Sequence, residues 1–67
     1  MELKINGEYY PDLPDELTVA GLIAHLQLPA GKIAVERNLE IVPKSSFSTQ
    51  ILADGDKLEI IHFIGGG

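Results

Sequence analysis

The sequence predicts an α+β fold, a mixed sheet with one main helix packed across one face. Three observations carry this. Short stretches alternate apolar and polar residues at both ends of the chain, as half-buried strands do. A single stretch repeats apolar residues at helical spacing. The final strand is the most apolar, which suits a central place in a sheet.

Met1 to Asn6 alternates, with Leu3 and Ile5 on the core side. Asn6-Gly7 is a hairpin signal, because both turn positions need a positive φ. Glu8-Tyr9-Tyr10 begins a returning strand, which Pro11 and Pro14 confine to an edge. Thr18 is placed to cap a helix whose Val19, Leu22, Ile23 and Leu26 share one face. Asp15 and Glu16 precede it, where negative charge suits the helix dipole. Pro29 and Gly31 end it. Gly21 falls opposite the apolar stripe with no evident reason. Ile33 to Glu36 reads as a third strand, Asn38 as a turn, and Glu40 to Val42 as a short fourth strand ended by Pro43. Lys44 to Leu52 crosses over, with one helical turn near Ser45-Ser46-Phe47. Phe47, Ile51 and Leu52 are expected to close the bottom of the core. Asp54-Gly55-Asp56 is a tight turn before the last strand, Lys57 to Ile64. The last strand lies beside the first and parallel to it. That arrangement is the β-grasp, the ubiquitin-like architecture. Residues 1–64 form the domain, and 65–67 a flexible glycine tail.

The 67 residues carry a net charge of −5, a pI near 4.7 and no cysteine. Nucleic-acid binders need clustered Lys and Arg, and anionic membrane surfaces attract basic segments, so neither is an expected partner. A partner with a basic docking face fits better. Without cysteine there is no disulfide, thiolate metal site or Cys nucleophile. No signal peptide or transmembrane run is legible, so the cytoplasm is the expected location.

The chain shows no catalytic constellation. His25 and His62 lack companions at ligand spacing, so no metal site is expected. Asp54-Gly55-Asp56 lacks the other ligands of an EF-hand loop. Ser45, Ser46 and Ser48 have no neighbouring base. No helix follows the glycines to bind phosphate. The domain therefore reads as a carrier or substrate for other enzymes, not as an enzyme.

Two features point to a docking end. Period-two alternation sends Leu58, Ile60, His62 and Ile64 to one face of the last strand. It sends Lys57, Glu59, Ile61 and Phe63 to the other. Ile61 and Phe63 then form an apolar patch on the open face, unless a bulge or loop covers them. Beyond them, Gly65, Gly66 and Gly67 offer no side chain to a core. They suit a thin arm that reaches on the order of 10 Å into a narrow channel. Its carboxylate, on Gly67, is the candidate reactive group. A frayed terminus is the competing reading.

Ile33-Ala34-Val35, Asn38, Ile41-Val42-Pro43-Lys44, Phe47, Leu52, Asp54-Gly55-Asp56, Leu58-Glu59-Ile60 and the terminal Gly66-Gly67 together resemble the ThiS family, sulfur carriers of bacterial thiamin biosynthesis. Lys44 stands where that family often has Arg, and Phe47 where it often has Trp. The resemblance implies that an E1-like, ThiF-type enzyme uses ATP and Mg²⁺ to adenylate Gly67. Sulfur from a cysteine desulfurase route then gives a thiocarboxylate, and a thiazole synthase of ThiG type accepts the sulfur. The chain itself binds no cofactor. Gly65 and Gly66 thread the partners' active sites, and Ile61 and Phe63 dock. Three alternatives stand beside this: a small subunit of molybdopterin synthase, a ubiquitin-like modifier, and a non-covalent β-grasp module with an idle tail.

Overall fold

The computed structural model describes residues 1–28 and 32–62. In chain order the elements are β1 (Leu3–Ile5), β2 (Glu8–Tyr10), α1 (Val19–His25), β3 (Ile33–Arg37), β4 (Glu40–Val42), a 3₁₀ turn (Lys44–Ser46) and β5 (Lys57–His62). The sheet order is β2-β1-β5-β3-β4. β5 runs parallel to β1 and antiparallel to β3, so the last strand is central, as its apolar composition demands. The ubiquitin-like β-grasp expected from the element order is the fold.

Both hairpins close on two-residue turns. Asn6 (φ 50°) and Gly7 (φ 83°) join β1 to β2, with Ile5 opposite Glu8. Asn38 (φ 51°) and Leu39 (φ 72°) join β3 to β4, with Arg37 opposite Glu40. Two successive positive φ values are the signature of a type I′ turn, whose twist matches the strands it joins.

The Thr18 hydroxyl caps α1 by accepting the Gly21 N–H at 3.0 Å. Gly21 thereby gains a reason the sequence did not offer. A Cβ there would lie 3.1 Å from Leu17 Cδ1 and 3.2 Å from Thr18 Oγ1, against the cap itself. No acidic residue lies in the first turn. Asp15 instead meets the N-terminal ammonium of Met1 at 3.2 Å, so its charge is not spent on the dipole. At the other end Gln27 takes φ 58°, its N–H bonds Ala24 O, and the Leu28 N–H bonds Ile23 O. These are the two bonds of a Schellman cap, formed here without glycine. The helix thus stops before Pro29 and Gly31, which lie outside the described residues.

Leu3, Ile5, Val19, Leu22, Ile23, Ile33, Val35, Val42, Leu52, Leu58 and Ile60 are buried in one core, joined by Leu13 from the loop before the helix. Phe47 packs partly against it. Ile51, expected in the core, is 57% exposed. Its backbone instead bridges Thr18, while Val19 N–H bonds Gln50 O and Leu52 N–H bonds Leu17 O. The crossover therefore runs as a strand beside the helix entrance, where alternation buries Leu52 and turns Ile51 outward. Among the described residues no helix is long and apolar enough to cross a membrane.

Candidate functional site

The candidate site is the far end of β5 and the sheet face around it. Its geometry begins with how β5 is held. On one edge Lys4 N–H bonds Asp56 O and Asn6 N–H bonds Leu58 O, the ladder of parallel β1. β1 then turns away, and the Asn6 side chain takes over. Its Oδ1 accepts the Ile60 N–H at 2.7 Å and its Nδ2 donates to Ile60 O at 3.1 Å. A side-chain amide carries the same donor and acceptor as a peptide, so it extends the ladder by one rung. On the other edge β3 pairs from Arg37 opposite Leu58 to Ile33 opposite His62.

The start of β5 is anchored by Asp56, the buried charged residue among the described ones. Its carboxylate accepts from Arg37 Nε at 2.7 Å, Asn38 Nδ2 at 3.0 Å and the Ala53 N–H at 2.8 Å. Asn38 Oδ1 in turn accepts the Lys57 N–H at 3.0 Å. Burial alone would raise the Asp56 carboxyl's pKa. The hydrogen bonds from Ala53, Asn38 and Arg37, with the Arg37 charge, outweigh burial and hold it below the ordinary carboxylate value. This cluster sets where β5 begins. The sequence reading took Asp56 only as a turn residue. Its partners lie 18 and 19 positions away, so no local pattern betrays it.

Alternation leaves one sheet face free of the helix. Lys4, Lys57, Glu59, Ile61, Ala34, Glu36 and Ile41 lie on it by register, opposite in parity to the buried Leu3, Ile5, Leu58, Ile60, Ile33, Val35 and Val42. Ile61 is 48% exposed there, as expected for a docking residue, and stands opposite Ala34. Ile41 is exposed beside Glu36. The sequence reading gave it no site role, although burial of Val42 fixes the outward direction of its neighbour. Phe63, Gly65, Gly66 and Gly67 lie outside the described residues, so of the expected site residues the structure places Ile61. His62 ends β5 opposite Ile33, and His25 is exposed on α1. Among the described residues no group of His, Cys, Asp and Glu converges to hold a metal.

Three comparisons bear on this arrangement. Residues 3–67 match the model of the ThiS family. The chain is 40% identical over 65 residues to the sulfur carrier protein ThiS of Bacillus subtilis, covering 97% of this chain and 98% of that one. It is 54% identical over 67 residues to a thiazole synthase of Paramagnetospirillum magneticum, covering all of this chain and 20% of that protein. The chain thus spans about a fifth of the length of the thiazole synthases it matches, one from Magnetococcus marinus included. The crystal structure of the thiamine biosynthesis protein ThiS from Geobacter metallireducens superposes with a TM-score of 0.83 at 32% identity, covering both chains in full.

Proposed function

The chain belongs to the ThiS family, and on that premise we propose that it carries sulfur for thiazole formation in thiamin biosynthesis. The observation that carries this reading is the route of β5. The strand is central and bonded on both edges up to Ile60, and Ile61 beside that rung is exposed. A rigid base with a side-chain-free end is what a partner needs to admit one carboxylate into a narrow site.

In the proposed cycle the Gly67 carboxylate attacks the α-phosphate of ATP, bound with Mg²⁺ on a ThiF-type enzyme, and expels pyrophosphate. The mixed anhydride has the leaving group that a carboxylate lacks. The terminal sulfur of a persulfide, formed by a cysteine desulfurase route, attacks the acyl carbon and expels AMP. A second thiol cleaves the S–S bond and leaves a thiocarboxylate, which donates its sulfur on a thiazole synthase of ThiG type. The absence of cysteine fits this scheme, in which the sulfur rides on the Gly67 carboxyl. Gly65 and Gly66 pass through the partner's channel, while Ile61 and Phe63 rest on its rim. In this scheme the domain is the substrate of the enzymes that act on it. The names borne by the longer relatives support thiazole synthase as one partner.

Intact-mass spectrometry tests this. Untagged chain is incubated with a ThiF-type enzyme, Mg-ATP and a sulfur source, beside a chain lacking Gly67. A gain equal to exchanging one oxygen for sulfur is expected in the full-length chain alone. No gain, under conditions that modify a known carrier, overturns the proposal.

A further inference from the structure

The free sheet face is ordered by charge in a way that alternation does not require. Lys4 stands opposite Lys57 across the parallel pair. Two residues further along β5, Glu59 stands opposite Glu36, with Ile41 next to Glu36 on β4. Two further still, Ile61 stands opposite Ala34. The face therefore carries a cationic row, an anionic row and an apolar row, in that order toward the end of β5.

Directly opposed residues on one sheet face lie within about 5.5 Å at Cβ, and like charges there destabilise the sheet. A sequence selected for stability alone would set Lys against Glu across each rung. Here both rungs carry like charge, and neither Glu36 nor Glu59 enters an ion pair among the described residues. The two charged rows meet in a dish of about 320 Å³, lined by Lys4, Glu36, Lys57, Glu59 and Leu39 at its rim.

We infer that this face docks a protein surface that places a cationic side chain over the Glu36–Glu59 rung. Apolar side chains of the same surface rest on Ile61 and Ile41, and an acidic group meets Lys4 and Lys57. Charge complementarity argues for this occupant. A neutral apolar partner would leave two opposed carboxylates desolvated without compensation. A partner cation relieves the repulsion that the free domain retains. Row order also sets direction. A partner rotated by half a turn would set its apolar side chains on Lys4 and Lys57 and its acidic group on Ile61, so the rows fix which way the end of β5 points.

The inference rests on the carrier reading for its choice of partner, and the experiment keeps the two apart. Docking of the full chain to a ThiF-type enzyme without ATP is measured by titration calorimetry at low and high salt. It is compared for the wild type, the Glu36→Gln/Glu59→Gln pair and Glu36→Lys. Urea midpoints are measured in parallel. The expected result is opposite movement. Both variants melt at higher urea than wild type, because like-charge repulsion is gone. Both dock at least about tenfold more weakly at low salt, and the salt sensitivity of docking shrinks. Docking as tight as wild type in both variants overturns the inference, and so does a lower urea midpoint in both. Sulfur gain by the wild type is read by mass in the same samples once ATP and a sulfur source are added. Salt-sensitive docking that the variants lose, with no sulfur gain, supports the docking face and overturns the carrier reading.

Discussion

The two hairpins of this domain are built alike and end differently. Each closes on a two-residue turn with an asparagine first, and each asparagine reaches across to β5. Asn6 holds the strand near its end, through both polar groups of Ile60. Asn38 holds it at its start, through the Lys57 N–H and the buried Asp56. The second turn position separates them. Gly7 meets its positive φ without a Cβ, whereas Leu39 sits at φ 72° with its side chain 91% exposed. The β1–β2 turn is unstrained and held by one asparagine. The β3–β4 turn is strained and held by an asparagine, an arginine and a buried carboxylate. Strain at one tip is matched by a denser polar anchor beside it.

Breaking that anchor has the largest expected effect. Asp56→Ala leaves the Ala53 N–H and the Arg37 and Asn38 donors without their acceptor. It should lower unfolding free energy by about 3 kcal/mol, read by urea titration. A loss under half of that would show the turn to be held by its backbone alone. The same carboxylate gives the two hairpins different acid responses. Its folded pKa lies below the unfolded value of 3.8. Its contribution is thus complete above that unfolded value and lost as pH falls through the lower folded one. Hydrogen exchange below about pH 4 should open the β3–β4 tip before the β1–β2 tip, and simultaneous opening would contradict it. Asn38→Ala should cost about 2 kcal/mol, because it strips a buried anion of a donor. Asn6→Ala should cost about 1 kcal/mol, with faster exchange confined to the Ile60 amide. Equal costs would erase the distinction drawn between the anchors. Smallest is the strain itself. Leu39→Gly should raise stability by about 0.5–1 kcal/mol in a thermal melt, since only the non-glycine pays for a left-handed φ.

The same contrast explains what the sequence disclosed. Asn6-Gly7 announces its turn, and the first turn was legible to the residue. Asn38-Leu39 lacks glycine, yet Asn38 and the change of strand still marked the bend. Val19, Leu22 and Ile23 fixed the helix, because burial on one face imposes a period. Gln27 hid the helix end, since a non-glycine Schellman cap has no compositional mark. Ile51 misled for a related reason. A crossover with one bridge to Thr18 obeys strand parity, which three neighbouring apolar residues do not reveal. At the candidate site, Ile61 was readable from the alternation of a long apolar strand. The grip of Asn6 on Ile60 and of Asp56 on Arg37 was not, because contacts 54 and 19 residues apart are products of topology.

The amide of Asn6 has a mechanical consequence. A partner that draws in the chain beyond His62 applies tension along β5. That strand is bonded to β3 on one edge, and to β1 and Asn6 on the other. The load runs parallel to the strand, so it shears these hydrogen bonds together and does not peel them singly. On the β1 edge the Ile60 rung stands first in line. An asparagine side chain there lengthens the loaded zone past the last residue of β1, and the traction needed to unravel the domain by its tail rises accordingly.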